Sequence, residues 1–150
     1  MRLLVAAAFA VFAIPTAAHA STTCAVVGDS IAAELRGFFR ECRIDAKIGI
    51  GTAAIVSRVP RSADLIVVSA GSNDYLTPGL LARLRAVRSR AGSARVIWIR
   101  PAPPTAAAAV DTVAHAHGDA VVPFAVSRTD REHIHPQSSQ KLAADIRRHF

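Results

Sequence analysis

Short apolar runs alternate along the chain with stretches whose apolar residues recur at helical spacing. The first run, Cys24-Ala25-Val26-Val27, stops at Gly28-Asp29-Ser30, and Ile31, Leu35, Phe38 and Phe39 then share one face of a helix expected over Ile31 to Glu41. Arg43 to Ile48 reads as a second strand ending in Gly49-Ile50-Gly51-Thr52, and Ala53 to Val59 as a short helix closed by Pro60. Asp64 to Ala70 is continuously apolar, rich in β-branched residues and too short for an average helix, which predicts a central strand buried on both faces. Thr77-Pro78 offers a cap and a first-turn proline for the next helix, with Leu80, Leu81, Leu84 and Val87 as its stripe and Gly92 at its end. Arg95 to Arg100 is a fourth strand carrying Trp98, the only tryptophan, whose expected role is packing. A proline-stiffened loop leads to a helix from about Thr105 to His117, Ala120 to Phe124 forms a fifth strand, and Ser127 to Pro136 is a polar loop. The last helix, from about Ser138, buries Leu142 and Ile146, with Phe150 a further candidate.

Strands that alternate with helices predict an α/β fold: a three-layer α/β/α sandwich around a parallel five-stranded sheet. Right-handed crossovers permit the flavodoxin-like strand order 2-1-3-4-5. In such a sheet the turns after the strands lie at the carboxyl edge, where ligands bind, so Ser30 is displayed where chemistry usually happens. Gly-Asp-Ser alone is also an ordinary turn with a good helix cap.

Met1-Arg2, an apolar stretch from Leu3 to Ile14, Pro15 and then Ala18-His19-Ala20 have the layout of a secretory signal peptide, too short for a comfortable membrane span. The expectation is a signal over residues 1–20 and one mature domain over 21–150, exported to a periplasmic or extracellular space; an uncleaved anchor is the alternative. The 51% hydrophobic fraction is raised by alanine and by that leader, and does not indicate a membrane protein. Lys+Arg 18 against Asp+Glu 11 gives a net charge of +7, enough to draw the chain to anionic envelope polymers or phospholipid headgroups. Nucleic acid is disfavoured, because the arginines are dispersed along helices and are not interleaved with aromatics. Cys24 and Cys42 fall at the starts of the first two strands, on one edge of a parallel sheet, so an oxidising compartment would allow a disulfide between them; two separate buried thiols are the alternative. A monomer is expected.

Gly28-Asp29-Ser30, the glycines Gly49 and Gly51, Gly71-Ser72-Asn73-Asp74, and His135-Pro136 with acids just upstream occur in that order from Cys24 to the end of the chain. This set resembles the SGNH, or GDSL, hydrolase family, whose serine, glycine, asparagine and histidine come from four such blocks. The resemblance implies that Ser30 attacks an acyl carbonyl while His135 takes its proton and returns it to the leaving alcohol. The oxyanion would be held by the N–H of Ser30, the N–H of Gly51, with Gly49 in reserve, and the side-chain amide of Asn73. The family's Asp-x-x-His pattern fits two frames here: Asp130 with His133 keeps the aspartate, whereas Glu132 with His135 keeps His-Pro and lengthens the acid by one methylene. The second frame is favoured, with Glu132 orienting His135, because the following helix then begins at the expected distance.

No lid insertion is visible, so an open site is expected, suited to a short acyl group such as acetyl on a small ester, a carbohydrate or a cell-envelope polymer such as peptidoglycan. No cofactor and no metal are implied. The runner-up is a catalytically weak domain acting as an envelope binding module, motivated by the non-standard Glu132. A metal-binding reading of His115-x-His117 and His133-x-His135 lacks a thiolate or acidic cluster to complete a site.

Overall fold

The computed structural model describes residues 23–124 and 136–150. The expected signal over residues 1–20 lies outside the described residues, as do both candidate acid and histidine pairs. Five strands form one parallel sheet: β1 Cys24–Gly28, β2 Arg43–Ala46, β3 Leu65–Ser69, β4 Arg95–Arg100 and β5 Ala120–Pro123. Their order is β2-β1-β3-β4-β5, the flavodoxin-like order that right-handed crossovers permit and that the family resemblance implies.

The side chains of each strand alternate between two apolar layers because strand periodicity is two. Ala25, Val27, Ile66, Val68 and Trp98 face one layer, and Val26, Val67, Ile97 and Ile99 face the other. The first layer is covered by α2 Thr52–Val56, α3 Leu80–Ala91 and α4 Pro104–His117. The second is covered by α1 Ser30–Glu34 and α5 Pro136–Arg147. All five residues of β3 are buried, as its unbroken apolar run requires, and Trp98 is fully enclosed. Each such large apolar side chain contributes roughly 1.5–3 kcal/mol on leaving water. No helix of the described residues is long and apolar enough to cross a membrane.

Several boundaries differ from the sequence expectation. The first helix ends at Glu34 and tightens into a 3-10 turn over Leu35–Gly37, where Gly37 weakens the helix and the chain must swing round to Cys42. Cys42 is bonded to Cys24, their Cα atoms 4.7 Å apart, which ties the starts of β1 and β2 together. The second strand stops at Ala46, and α2 covers Thr52–Val56, shorter than the expected Ala53 to Val59. Thr77-Pro78 does not start α3. The N-cap is Gly79, in the left-handed conformation at φ +81°, because Thr77 closes a turn onto the carbonyl of Asp74 and Arg83 takes the carbonyls of Thr77 and Pro78. Pro104 starts α4 one residue before the expected Thr105, and Pro136 starts α5 two before Ser138.

Candidate active site

Parallel register fixes which loops meet. Gly28, the last residue of β1, pairs with Ala46 of β2 on one side and with Ser69 of β3 on the other. The loops that leave these three strands carry Ser30, Gly51 and Asn73 respectively, so the three residues issue at one edge of the sheet. Gly28 has φ +146°, and a Cβ there would lie 2.2 Å from the carbonyl oxygen of Ser69. Only glycine lets the chain pass this close to β3 before turning into α1.

Asp29 is the N-cap of α1 and is fully buried. Its Oδ1 accepts from the N–H of Ile31 at 3.1 Å and from the hydroxyl of Ser69 at 2.7 Å, while its own N–H donates to the carbonyl of Ser69 at 3.2 Å. These bonds clamp the serine turn onto the end of β3. Burial pushes the Asp29 carboxyl above its ordinary pKa, against the opposing pull of the Ser69 hydroxyl, the Ile31 N–H and the Ser72 hydroxyl. Ser30, next in the chain, is half-buried in the first turn of α1, and no described residue bonds its hydroxyl.

Gly51 is the N-cap of α2 and has no side chain with which to cap it. Asp74, from the loop after β3, does so instead: Oδ2 accepts from the N–H of Thr52 at 3.0 Å and Oδ1 from its hydroxyl at 2.8 Å. Arg83 Nε holds the same carboxylate at 3.2 Å. A Cβ on Gly51 would press to 3.3 Å from Asp74 Oδ2, whereas one on Gly49, in the left-handed region at φ +79°, would meet open space. Gly51, not Gly49, is the glycine held against the Asn73-Asp74 turn. Asn73 Nδ2 donates to the carbonyl of Ile50 at 2.9 Å, so the two loops are joined directly, and among the described residues the second amide hydrogen of Asn73 has no acceptor. Among the described residues the N–H groups of Ser30 and Gly51 have no hydrogen-bond partner. Gly71, at φ +95° and packed against Ala106, lets β3 turn sharply into this loop.

Glu132, His135, Asp130 and His133 lie outside the described residues. The ends of their segment are described: β5 finishes at this same edge, and Ser139, in the first turns of α5, lies 3.5 Å from Glu34 at the end of α1. Ile48, Tyr75 and Leu76 are exposed in the two loops that hold Gly51 and Asn73, an apolar rim beside the site. A cavity of about 400 Å³ lies at the opposite edge of the sheet, lined among others by Arg88, Arg95, His117 and Asp119. Sequence reasoning gave no role to Asp29 beyond turn formation, and none to Asp74. The only available signal was that both acids adjoin a singled-out residue.

No protein-family model and no curated protein matches the sequence. Solved structures do match in fold. A GDSL-like lipase from Bacteroides uniformis superposes with a TM-score of 0.63 at 14% identity, covering 87% of this chain and 96% of that one. One from Bacteroides ovatus gives 0.65 at 8% identity over 85% and 97%. The C-terminal catalytic domain of Streptococcus pneumoniae peptidoglycan O-acetyltransferase A, solved with a methylsulfonyl adduct, gives 0.57 at 12% identity over 84% and 90%.

Proposed function

We propose that this chain, which has an SGNH-type fold, is an exported serine esterase acting on short-chain, acetyl-type esters. The observation that carries the reading is the delivery of Ser30, Gly51 and Asn73 to one sheet edge by three adjacent parallel strands. Ser30 attacks the acyl carbonyl, and His135 removes the hydroxyl proton and passes it to the departing alcohol. The developing oxyanion takes the unpartnered N–H groups of Ser30 and Gly51 and the second amide hydrogen of Asn73. Donors fixed in advance in this way are each worth about 3 kcal/mol by comparison with measured oxyanion-hole deletions. Water on the acyl-serine, activated by His135, then releases the acid. Glu132 orients His135. This frame is supported by α5 starting at Pro136, directly after His135. The Cys24–Cys42 bond supports an oxidising, exported setting, and the net charge of +7 supports attraction to an anionic envelope carrying the ester.

Hydrolysis of p-nitrophenyl acetate by the purified protein, with Ser30→Ala and His135→Ala in parallel, tests the reading. Loss of turnover in both variants supports it, and equal background rates in all three overturn it in favour of a binding module. His133→Ala discriminates the frames: if it abolishes turnover while His135→Ala spares it, Asp130 and His133 are the working pair. The likeness to an O-acetyltransferase domain motivates a second reading, in which an alcohol in place of water receives the acyl group. Adding an acceptor alcohol to the assay and measuring acetylated alcohol against free acetate separates the two.

A further inference from the structure

The proposed oxyanion site is flanked by a carboxylate, which poses an electrostatic problem. Asp74 accepts from the N–H of Thr52 at 3.0 Å and from its hydroxyl at 2.8 Å. Its Oδ2 lies close enough to Gly51 that a Cβ there would stand 3.3 Å away, and Asp74 follows Asn73 directly in the chain. The acid therefore sits between two of the groups assigned to the oxyanion, and its side chain is only 14% exposed. A negative charge in that place holds the donors but repels the charge that develops on the acyl oxygen, and a partly buried site screens the repulsion poorly.

Arg83 meets that repulsion. It reaches out of α3, and its three nitrogens take three different acceptors: Nε the Asp74 carboxylate at 3.2 Å, and the other two the carbonyls of Pro78 at 2.7 Å and Thr77 at 3.2 Å. Both carbonyls belong to the turn that runs from Asp74 into α3, closed by the N–H of Thr77 on the carbonyl of Asp74 at 3.0 Å. The guanidinium is thus fastened to the same loop that carries the acid, so cation and carboxylate keep a fixed separation. We infer that Arg83 is a positioning residue that acts through Asp74 and cancels its charge, so that a carboxylate can hold Gly51 and Asn73 in place without opposing the oxyanion they stabilise.

This rests on the esterase reading, and its test separates the two. Arg83→Met keeps the apolar stem and removes the charge, so kcat on p-nitrophenyl acetate is expected to fall about thirtyfold with KM nearly unchanged, because the repulsion grows only as the oxyanion forms. Arg83→Lys keeps the charge and is expected to stay within about fivefold of wild type. The decisive variant adds Asp74→Asn to Arg83→Met. Asparagine keeps Thr52 partnered, its oxygen accepting from the N–H and its amide donating to the hydroxyl oxygen, yet carries no charge. The double variant is therefore expected to turn over about tenfold faster than Arg83→Met alone. A merely structural role for Arg83 predicts a double variant no faster than the single one, and that result overturns the inference. So does Arg83→Met with the kcat of wild type, or Arg83→Lys as slow as Arg83→Met. Arg83→Gln, neutral but still a donor, serves the same comparison if the methionine variant does not fold. Urea unfolding provides a readout that needs no activity: Arg83→Met is expected to lower the midpoint more in wild type than in the Asp74→Asn background, and equal losses contradict the pairing. A wild type without Ser30-dependent turnover would instead sink the esterase reading, while the unfolding series still decides whether Arg83 works through Asp74.

Discussion

Two aspartates are shut away from water at opposite edges of the sheet and are held in opposite ways. Asp119, just before β5, has a side chain 3% exposed and both oxygens occupied: Arg88 Nε bonds Oδ1 at 3.0 Å and Oδ2 at 2.7 Å, and the indole of Trp98 adds a third bond at 3.0 Å. Asp29, just after β1, has two donors on one oxygen and none on the other. The strand-start edge also carries the Cys24–Cys42 bond. That edge is braced and its polar groups are satisfied. Among the described residues the strand-end edge keeps unspent hydrogen-bonding capacity at Asp29, Ser72, Ser30 and Gly51, and this is the edge to which the proposed chemistry is assigned. Buried polar groups are normally all partnered, and among the described residues the buried side-chain atoms without one, Asp29 Oδ2 and Ser72 Oγ, lie at the edge proposed for the esterase site.

The largest effect that could break this contrast is at the braced edge. Arg88→Ala strands Asp119 as a buried charge and is expected to cost about 3–5 kcal/mol in chemical denaturation. Ester turnover by the protein that remains folded should be unchanged; a matching fall in kcat would mean that the two edges are not separable. Reducing the disulfide is expected to cost roughly 3 kcal/mol, as the chain-entropy view gives for a loop of this length, again without altering kcat below the melting transition. At the other edge Asp74→Ala should invert the ratio. It removes the cap of α2, costing about 1 kcal/mol, but frees Gly51 from the Asn73 loop and should lower kcat about a hundredfold.

The smallest effect is the pH dependence of Asp29. Burial raises its folded pKa, so the folded chain holds a proton that the unfolded chain releases above about pH 4. Its contribution to stability is complete below that pH and declines as pH rises through the folded value. Denaturation midpoints that diverge between wild type and Asp29→Asn with rising pH would sharpen the contrast, since Asp119 sits against a permanent cation.

Legibility in the sequence followed the range of the interactions. The run from Leu65 to Val68 announced a central strand because burial on both faces leaves no polar position in it. The alternation of helices and strands permitted the sheet order and the family resemblance implied it; three adjacent parallel strands then bring Ser30, Gly51 and Asn73 to one edge. The link that holds Gly51, the favoured glycine, against the Asn73 loop was not legible, because it depends on Asp74 reaching Thr52 across 22 residues. The same long-range link misled the reading of Thr77-Pro78: its local cap chemistry is good, but Asp74 and Arg83 draw that segment into a turn and delay the helix to Leu80. Asp29 looked like a turn former because the partner that ties it to the rest of the sheet, Ser69, lies 40 residues away on another strand.

The most direct test of the edge as an esterase site is covalent. Methanesulfonyl fluoride incubated with the protein should lose fluoride to form a sulfonyl ester on Ser30 Oγ, abolishing turnover of p-nitrophenyl acetate in step with labelling. Peptide mass spectrometry is expected to place one methylsulfonyl group on the peptide containing Ser30, and none in Ser30→Ala. Turnover that survives in Ser30→Ala, or a label found on another residue, would contradict the assignment.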